Sequence, residues 1–293
     1  VTADAVTDLF EEHRPFLSGV AYRMLGRVAD AEDVVQDAWL RWSSAERGDV
    51  REPRAFLVRI TTRLAVDRLR HLRSRREAYV GPWLPEPVVT RFGAVPDSAE
   101  HAVLADSVSL AVLVVLESLS PLERAVFVLR EAFGFPYAEI AAALDRSEAA
   151  VRQLAGRAKR HVEERKPRYE VDPAVRRDLT ERFLAAASGG DLDRMLAILA
   201  PDVRLVGDSG GRAKAPRRIV ESADKVGRFL LAVGHEIPAG TEVTTMELNG
   251  GPALVVSLDG KVDTVFQLDV GGGVIRCVYV IRNPDKLAGI RMG

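Results

Sequence analysis

Apolar residues recur at helical spacing from about residue 4 to residue 77 and again from 100 to 165, then give way beyond 173 to two further helices and a series of strand-like runs. In the first stretch Gly26 predicts the end of one helix, Asp30 a cap for the next, and Pro53 the opening turn of a third. Prolines 82, 85, 87 and 96, with Gly81 and Gly93, then predict a linker over 79–99, partly extended because proline fixes φ. Residues 137–144 and 148–161 predict two helices around the break Asp145-Arg-Ser147, with Ser147 as N-cap and Val151, Leu154, Ala158 and Val162 as one apolar stripe. After a polar break at 166–173 the pattern predicts a helix over 174–187, the turn Ser188-Gly-Gly-Asp191 and a short helix. Strands follow at 203–207, 242–248, 253–258, 262–270 and 274–281, several separated by Gly-rich turns such as Asn249-Gly-Gly and Gly271-Gly-Gly. The fold class is therefore multidomain: two all-α domains followed by an α+β domain.

Composition narrows this picture. A chain of 293 residues with 47% hydrophobic and 28% charged residues buries a sizeable core and is neither disordered nor fibrous. The longest apolar runs, such as 110–116, fall far short of the roughly 20 residues of a membrane span. The start, with Asp4, Asp8, Glu11 and Glu12, lacks the basic head and apolar middle of a signal peptide. A single cysteine, Cys277, excludes an internal disulfide framework and a Cys-based zinc cluster. The expectation is a cytoplasmic protein without metal or cofactor.

The net charge of −1 hides strong segregation. Residues 1–50 hold ten acids against five arginines, 51–77 nine arginines against three acids, and 146–168 eight basic residues against three acids. Two basic blocks set apart by acidic ones suit two phosphate-facing surfaces with protein-facing surfaces between them, although solvated helix faces would give the same count. At about 100° per residue, Arg59, Arg63, Arg70 and Arg73 share one helix face, a ridge suited to a DNA backbone. Nearby Phe56 and Tyr79 are either core aromatics or platforms for an unpaired base. On the preceding helix Asp33, Gln36 and Asp37 share an exposed face, which fits a basic protein partner or plain solvent. In 137–162, a short helix, tight turn and second helix bearing Ser147, Glu148, Arg152, Gln153, Arg157, Lys159 and Arg160 outward has the geometry of a major-groove reader. An ordinary αα-hairpin is the alternative, and the small residues 141–143 and 149–150 favour the close packing of a helix-turn-helix.

Together these segments resemble the extracytoplasmic-function (ECF) class of bacterial sigma factors. Residues 29–39 (ADAEDVVQDAW) look like the segment that this family docks on the clamp helices of the polymerase β′ subunit, which implies polymerase contacts for Asp30, Glu32, Asp33, Gln36 and Asp37. Residues 53–70 look like its promoter-melting, minus-ten-reading helix. Residues 119–130 with the helix-turn-helix look like its minus-thirty-five-reading domain, for which the resemblance also implies the β flap as partner. The implied partners are core RNA polymerase and promoter DNA, with no membrane and no catalytic site. The implied domains are 1–78, 79–99 as linker, 100–166, and 167–293.

Trp83-Leu84-Pro85-Glu86-Pro87, Asp208-Ser-Gly210-Gly211-Arg212 and Asn283-Pro284-Asp285-Lys286-Leu287 are similar to signatures of an actinobacterial subgroup, the sigma J type, whose members carry a fused SnoaL-like domain. That domain is a cone-shaped α+β fold related to small polyketide cyclases, and residues 183–205 fit its opening helices and first strand. The subgroup commonly has Asp-Gly-Gly-Gly-Lys at the Asp208 motif, so the serine and arginine here are departures. Three readings stand for the last domain. It regulates the sigma domains through the linker, it senses a small-molecule ligand, or it is an enzyme using Asp208 and His235 as acid and base. The residues themselves favour the first, with His235 as a loop histidine, Asp208 as a turn former and Cys277 as a buried apolar residue. A helix-turn-helix regulator that never joins the polymerase is the runner-up, and a melting helix is of no use to such a protein.

Overall fold

The computed structural model describes residues 3–45, 52–89, 109–165, 171–235 and 238–291. The expected linker beyond Val89, residues 100–108 of the second domain and most of the polar break after 165 lie outside the described residues. The chain divides into two compact units. One holds residues 1–77, 93–108 and 112–166; the other holds 78–92, 109–111 and 167–293.

In the first unit, helices α1 (Ala3–Leu25), α2 (Val28–Ser44) and α3 (Pro53–Arg76) bury one another's apolar faces. Leu17, Ala21, Leu25, Val34, Ala38, Leu57, Ala65 and Leu69 lie in this core, each at most 3% exposed. The Trp42 indole donates to Val6 O at 3.0 Å, which ties α2 to α1. Asp30 does not cap α2 as its sequence suggests. Arg27 holds the extended cap position, and Asp30 sits buried in the first turn, where its carboxylate accepts from Arg68 Nη2 at 2.6 Å and Nε at 3.1 Å. Both N–H groups converge on Asp30 Oδ1, and a charge-assisted pair from the neighbouring helix is worth more to a buried carboxylate than a backbone N–H that water can reach.

Helices α4 (Leu110–Leu116), α5 (Pro121–Phe127), α6 (Tyr137–Leu144) and α7 (Glu148–Arg165) follow, with a π-helical turn at Val128–Ala132. Ser120 and Glu123 form a reciprocal capping box at α5, with Pro121 at the first position, where no N–H is missed. Asp145 closes α6 in the left-handed region at φ 55°, and Ser147 Oγ accepts from Ala150 N at 3.2 Å to start α7. Val151, Leu154, Ala158 and Val162 are all buried, as their spacing predicts.

The second unit is a six-stranded sheet with three helices on one face. Its helices are α8 (Pro173–Gly189), α9 (Leu192–Ile198) and α10 (Ala223–His235). Its strands are β1 (Leu199–Asp208), β2 (Val220–Glu221), β3 (Thr241–Leu248), β4 (Gly251–Leu258), β5 (Lys261–Gly271) and β6 (Val274–Ile281). The order is β2-β1-β6-β5-β4-β3, parallel only between β1 and β6. Leu205, Leu254, Phe266, Val278 and Val280 pack against Leu179, Phe183, Met195, Val226 and Leu230 of the helices. This is the α+β domain that helices followed by strand-like runs imply. Helix α10 has no counterpart among the elements expected from sequence, and Gly227 and Gly234 weaken its helical propensity. Packing explains the first: a Cβ on Gly227 would come within 3.1 Å of Leu192 Cδ1, so glycine lets α10 lie close on α9. A last short helix, α11 (Pro284–Leu287), is capped by Asn283.

Candidate nucleic-acid interface

The arginine ridge of α3 is solvent-facing at Arg59, Arg63, Arg70 and Arg73. Its members have different partners. The Arg59 guanidinium lies 5.2 Å over the Phe56 ring, and Arg70 Nη1 donates to Asp67 at 2.8 Å within the helix. Arg63 Nε donates to Ala143 O of α6 at 2.8 Å, and Arg73 donates to Leu119 O just before α5. Arg76, one turn on, pairs with Glu117, which also holds the fully buried Arg124; Arg124 in turn donates to Arg23 O of α1 at 3.1 and 3.2 Å. Burial pulls the Arg76 and Arg124 guanidiniums down to about 9, so both remain cationic at neutral pH. Part of the first basic block thus binds the second helical region rather than solvent.

Phe56 is half-buried. Its ring packs against Trp42 at 5.8 Å and, with Leu129, Phe135, Ile140 and Arg59, lines a cavity of about 240 Å³ between α3 and α6. Tyr79 belongs to the second unit, where its hydroxyl has a different task.

Glu32, Asp33, Gln36 and Asp37 are exposed on α2, whereas Asp30 is buried against Arg68. Arg68 also reaches Asp33 at 3.1 Å, and hydrogen bonding to Asp30 raises its pKa further. Leu40, 57% exposed one turn beyond Gln36 and Asp37, adds an apolar side chain to that acidic face. Sequence patterning alone gave no reason to single out Leu40 or Arg68.

On α7, Ser147, Glu148, Arg152, Gln153, Arg157, Lys159 and Arg160 are all exposed. Arg152 pairs with Glu148 and lies 4.7 Å over the Tyr137 ring, so α6 braces it against the helix surface. Arg157 Nε donates to Glu123 at 3.1 Å. Glu123 is held below the usual carboxylate range chiefly by its hydrogen bond from Ser120, and the capping box of α5 thereby positions Arg157. Arg160 turns back to Gly156 O at 3.3 Å, and Lys159 stands 3.9 Å from Glu163.

The second unit brings the three remaining motifs to one point. Asp208 ends β1 and, by strand alternation, projects from the face opposite Leu205 and the helices. It is no turn former, because its carboxylate is fully buried and takes three donors. These are Tyr79 Oη at 2.5 Å, the backbone N–H of Leu84 at 2.7 Å and Lys286 Nζ at 2.6 Å. Lys286 is 1% exposed, so 283–287 is an anchoring helix rather than a polar surface turn. Its ammonium also donates to Leu84 O and lies 4.0 Å from the centre of the Trp83 ring. Asn283 Nδ2 donates to Tyr79 Oη at 2.8 Å. Gly210 and Gly211 have φ of 57° and 75° and pass against Tyr79 and Val80, where a Cβ would clash. Leu84, Pro85, Glu86 and Pro87 are buried, and Val88 N donates to Asn249 Oδ1 at 3.1 Å. The segment from Tyr79 to Val89 is therefore strapped to this unit from β1 to the β3–β4 hairpin.

Candidate acid–base chemistry receives no support from geometry. Every acceptor position of Asp208 named above is occupied by a strap or anchor donor, and His235 is exposed at the end of α10. Burial pushes the Cys277 thiol up to about 12, which leaves it protonated and unreactive. Among the described residues no helix is long and apolar enough to cross a membrane.

A family model of Sigma-70 region 2 matches residues 9–76, and one of Sigma-70, region 4 matches residues 109–162. The ECF RNA polymerase sigma factor SigJ of Mycobacterium tuberculosis is 40% identical over 96% of this chain and 92% of its own. The probable ECF RNA polymerase sigma factor SigI of the same organism is 34% identical over 98% and 97%. The crystal structure of M. tuberculosis SigJ matches with a TM-score of 0.78 at 38% identity, covering 97% of this chain and 98% of that one.

Proposed function

The chain belongs to the extracytoplasmic-function class of bacterial sigma factors, with a SnoaL-like domain at its C-terminal side, and from that premise we propose that this domain regulates initiation by gripping the linker between the two promoter-reading regions. As a sigma factor the chain binds core RNA polymerase and directs it to promoters. On our reading residues 1–78 dock on the β′ clamp helices through Glu32, Asp33, Gln36 and Asp37 and melt the minus-ten element with the α3 ridge. Residues 100–166 contact the β flap and read the minus-thirty-five element with α7. Residues 79–99 connect them, and 167–293 regulate them.

The observation that carries the regulatory part is the buried Asp208–Lys286 pair, which closes on Tyr79, Trp83 and Leu84 of the linker. A grip on a tether biases how far apart the tethered parts travel, and two DNA-reading regions must reach two separate promoter elements. A second observation fits: Arg63 and Arg73 donate to carbonyls of region 4, so promoter engagement by the whole ridge requires those bonds to break. The domain acts without catalysis, and a small-molecule ligand that loosened the grip would act as its signal.

The test is in vitro transcription with core polymerase and either the native chain or Asp208→Ala, alongside core-binding affinity. The expected result is a several-fold change in promoter output at unchanged core affinity. Identical output from both chains would remove the regulatory role and leave the sigma function standing.

A further inference from the structure

Residues 167–293 carry seventeen basic and seventeen acidic side chains, yet the loop from Ser209 to Ile219 (SGGRAKAPRRI) holds four basic residues and no acid. Arg212, Lys214, Arg217 and Arg218 are all exposed. Arg212 is neutralised by Asp285 at 2.5 Å. Lys214, Arg217 and Arg218 form no ion pair among the described residues, so three cations within five residues face water without a counter-charge.

The loop is built rather than slack. Arg282 donates to Lys214 O at 2.8 Å and holds Asp263 by two bonds of 2.7 and 2.9 Å, which fixes the loop's middle to β5 and β6. Arg212 N closes a turn onto Ser209 O at 2.9 Å. Pro216 lies against Gly207, where a Cβ would come within 3.0 Å of its ring, and Gly81 of the strap packs on the backbone of Arg217. Clustering like charges on a pinned backbone is unfavourable for the isolated fold. It also removes much of the ordering entropy that a flexible basic segment loses on binding an anion.

We propose that Lys214, Arg217 and Arg218 form a third DNA-contacting surface of this protein, one that binds backbone phosphates of duplex DNA without reading sequence. The inference adds to the sigma function and rests on its DNA partner. The chemistry favours DNA over an acidic protein partner, because the loop has no aromatic side chain to anchor a protein interface and its unpaired charges are of one sign. Ile219, 43% exposed beside Arg218, is the loop's one large apolar side chain in water, and arginine and lysine without an aromatic core are the usual phosphate-positioning set.

The experiment measures binding of the full chain to a fluorescent 40-base-pair duplex of arbitrary sequence between 50 and 200 mM salt. The native chain is compared with K214Q/R217Q/R218Q and with R194Q/R228Q/K261Q, which removes equal charge elsewhere on the same domain. Neutralising three phosphate contacts lowers the slope of log affinity against log salt by about 2.7, so the native chain loses roughly 40-fold more affinity across that range than the loop variant. The charge-retaining R217K/R218K variant is expected to bind like the native chain. Equal loss in both triple variants overturns the proposal in favour of net charge alone, and an unchanged slope in the loop variant overturns it outright. So does loss of core-polymerase affinity, or of affinity for phosphatidylserine vesicles, with duplex binding intact. None of these results touches initiation itself, which the transcription assay reads separately.

Discussion

Removing the Lys286 ammonium is the sharpest perturbation of the strap. Lys286 and Asp208 are 1% and 0% exposed and lie 2.6 Å apart. Taking away one partner of a buried pair leaves the other charge uncompensated, which costs about 3–5 kcal/mol. Lys286→Met keeps most of the volume and removes the charge, so its effect is electrostatic. Asp208→Leu removes the acceptor of the buried Leu84 N–H and of the Tyr79 hydroxyl and the counter-charge of the ammonium, with a cost in the same range. In the double variant no charge is left, and the remaining loss is that of unsatisfied strap groups, about 1–3 kcal/mol. The single effects are therefore expected to be strongly non-additive, with a coupling of about 3 kcal/mol or more. Unfolding of a two-unit chain is not one transition, so the appropriate assay is hydrogen exchange of the strap, where the Leu84 and Val88 amides report local opening. In Lys286→Met their exchange should accelerate by about 100-fold or more, since 1.4 kcal/mol is tenfold. Exchange within threefold of native in both single variants, or additive effects in the double, would refute the buried-pair argument.

Asp269 gives a pH prediction. Burial raises its carboxyl to about 6, against the pull of Arg276, Arg176 and Arg204. A folded value above the unfolded one means the native state holds the proton more tightly, so the stabilisation is complete below about 4 and is lost as pH rises through 6. Asp269→Asn should raise local stability by about 1–3 kcal/mol at pH 7.5 and have little effect at pH 4, as read by hydrogen exchange of the amides that pair β5 with β6. On α7, Arg152→Ala and Arg157→Ala are each expected to lose about 1–3 kcal/mol at particular base pairs in promoter-variant binding; uniform loss over all sequences would mark phosphate contacts instead. Charge reversal in Asp33→Lys/Asp37→Lys should weaken association with core polymerase, measured by co-elution or surface binding. Undiminished association would place docking on another face.

Local periodicity and capping chemistry determined much of this protein before any tertiary contact was considered. The α6–α7 hairpin, with Ser147 as its cap and Val151, Leu154, Ala158 and Val162 inward, follows from residues within one or two turns of each other, and so do the short strand-like runs between Gly-rich turns that become β3 to β6. Which faces of α2 and α7 are polar is likewise a local matter, because helical spacing assigns residues to faces independently of what the faces meet. Tertiary structure alone decided which charges stay free. Arg63 and Arg73 look equivalent to Arg59 and Arg70 along the helix, yet they are bound by carbonyls 80 and 46 residues away. Asp208 reads as a turn aspartate until Tyr79, Leu84 and Lys286 arrive from 129, 124 and 78 residues off. A side chain's spacing says where it points, but desolvation and partner geometry set its charge state and its bonds, and those come from elements that only folding brings together.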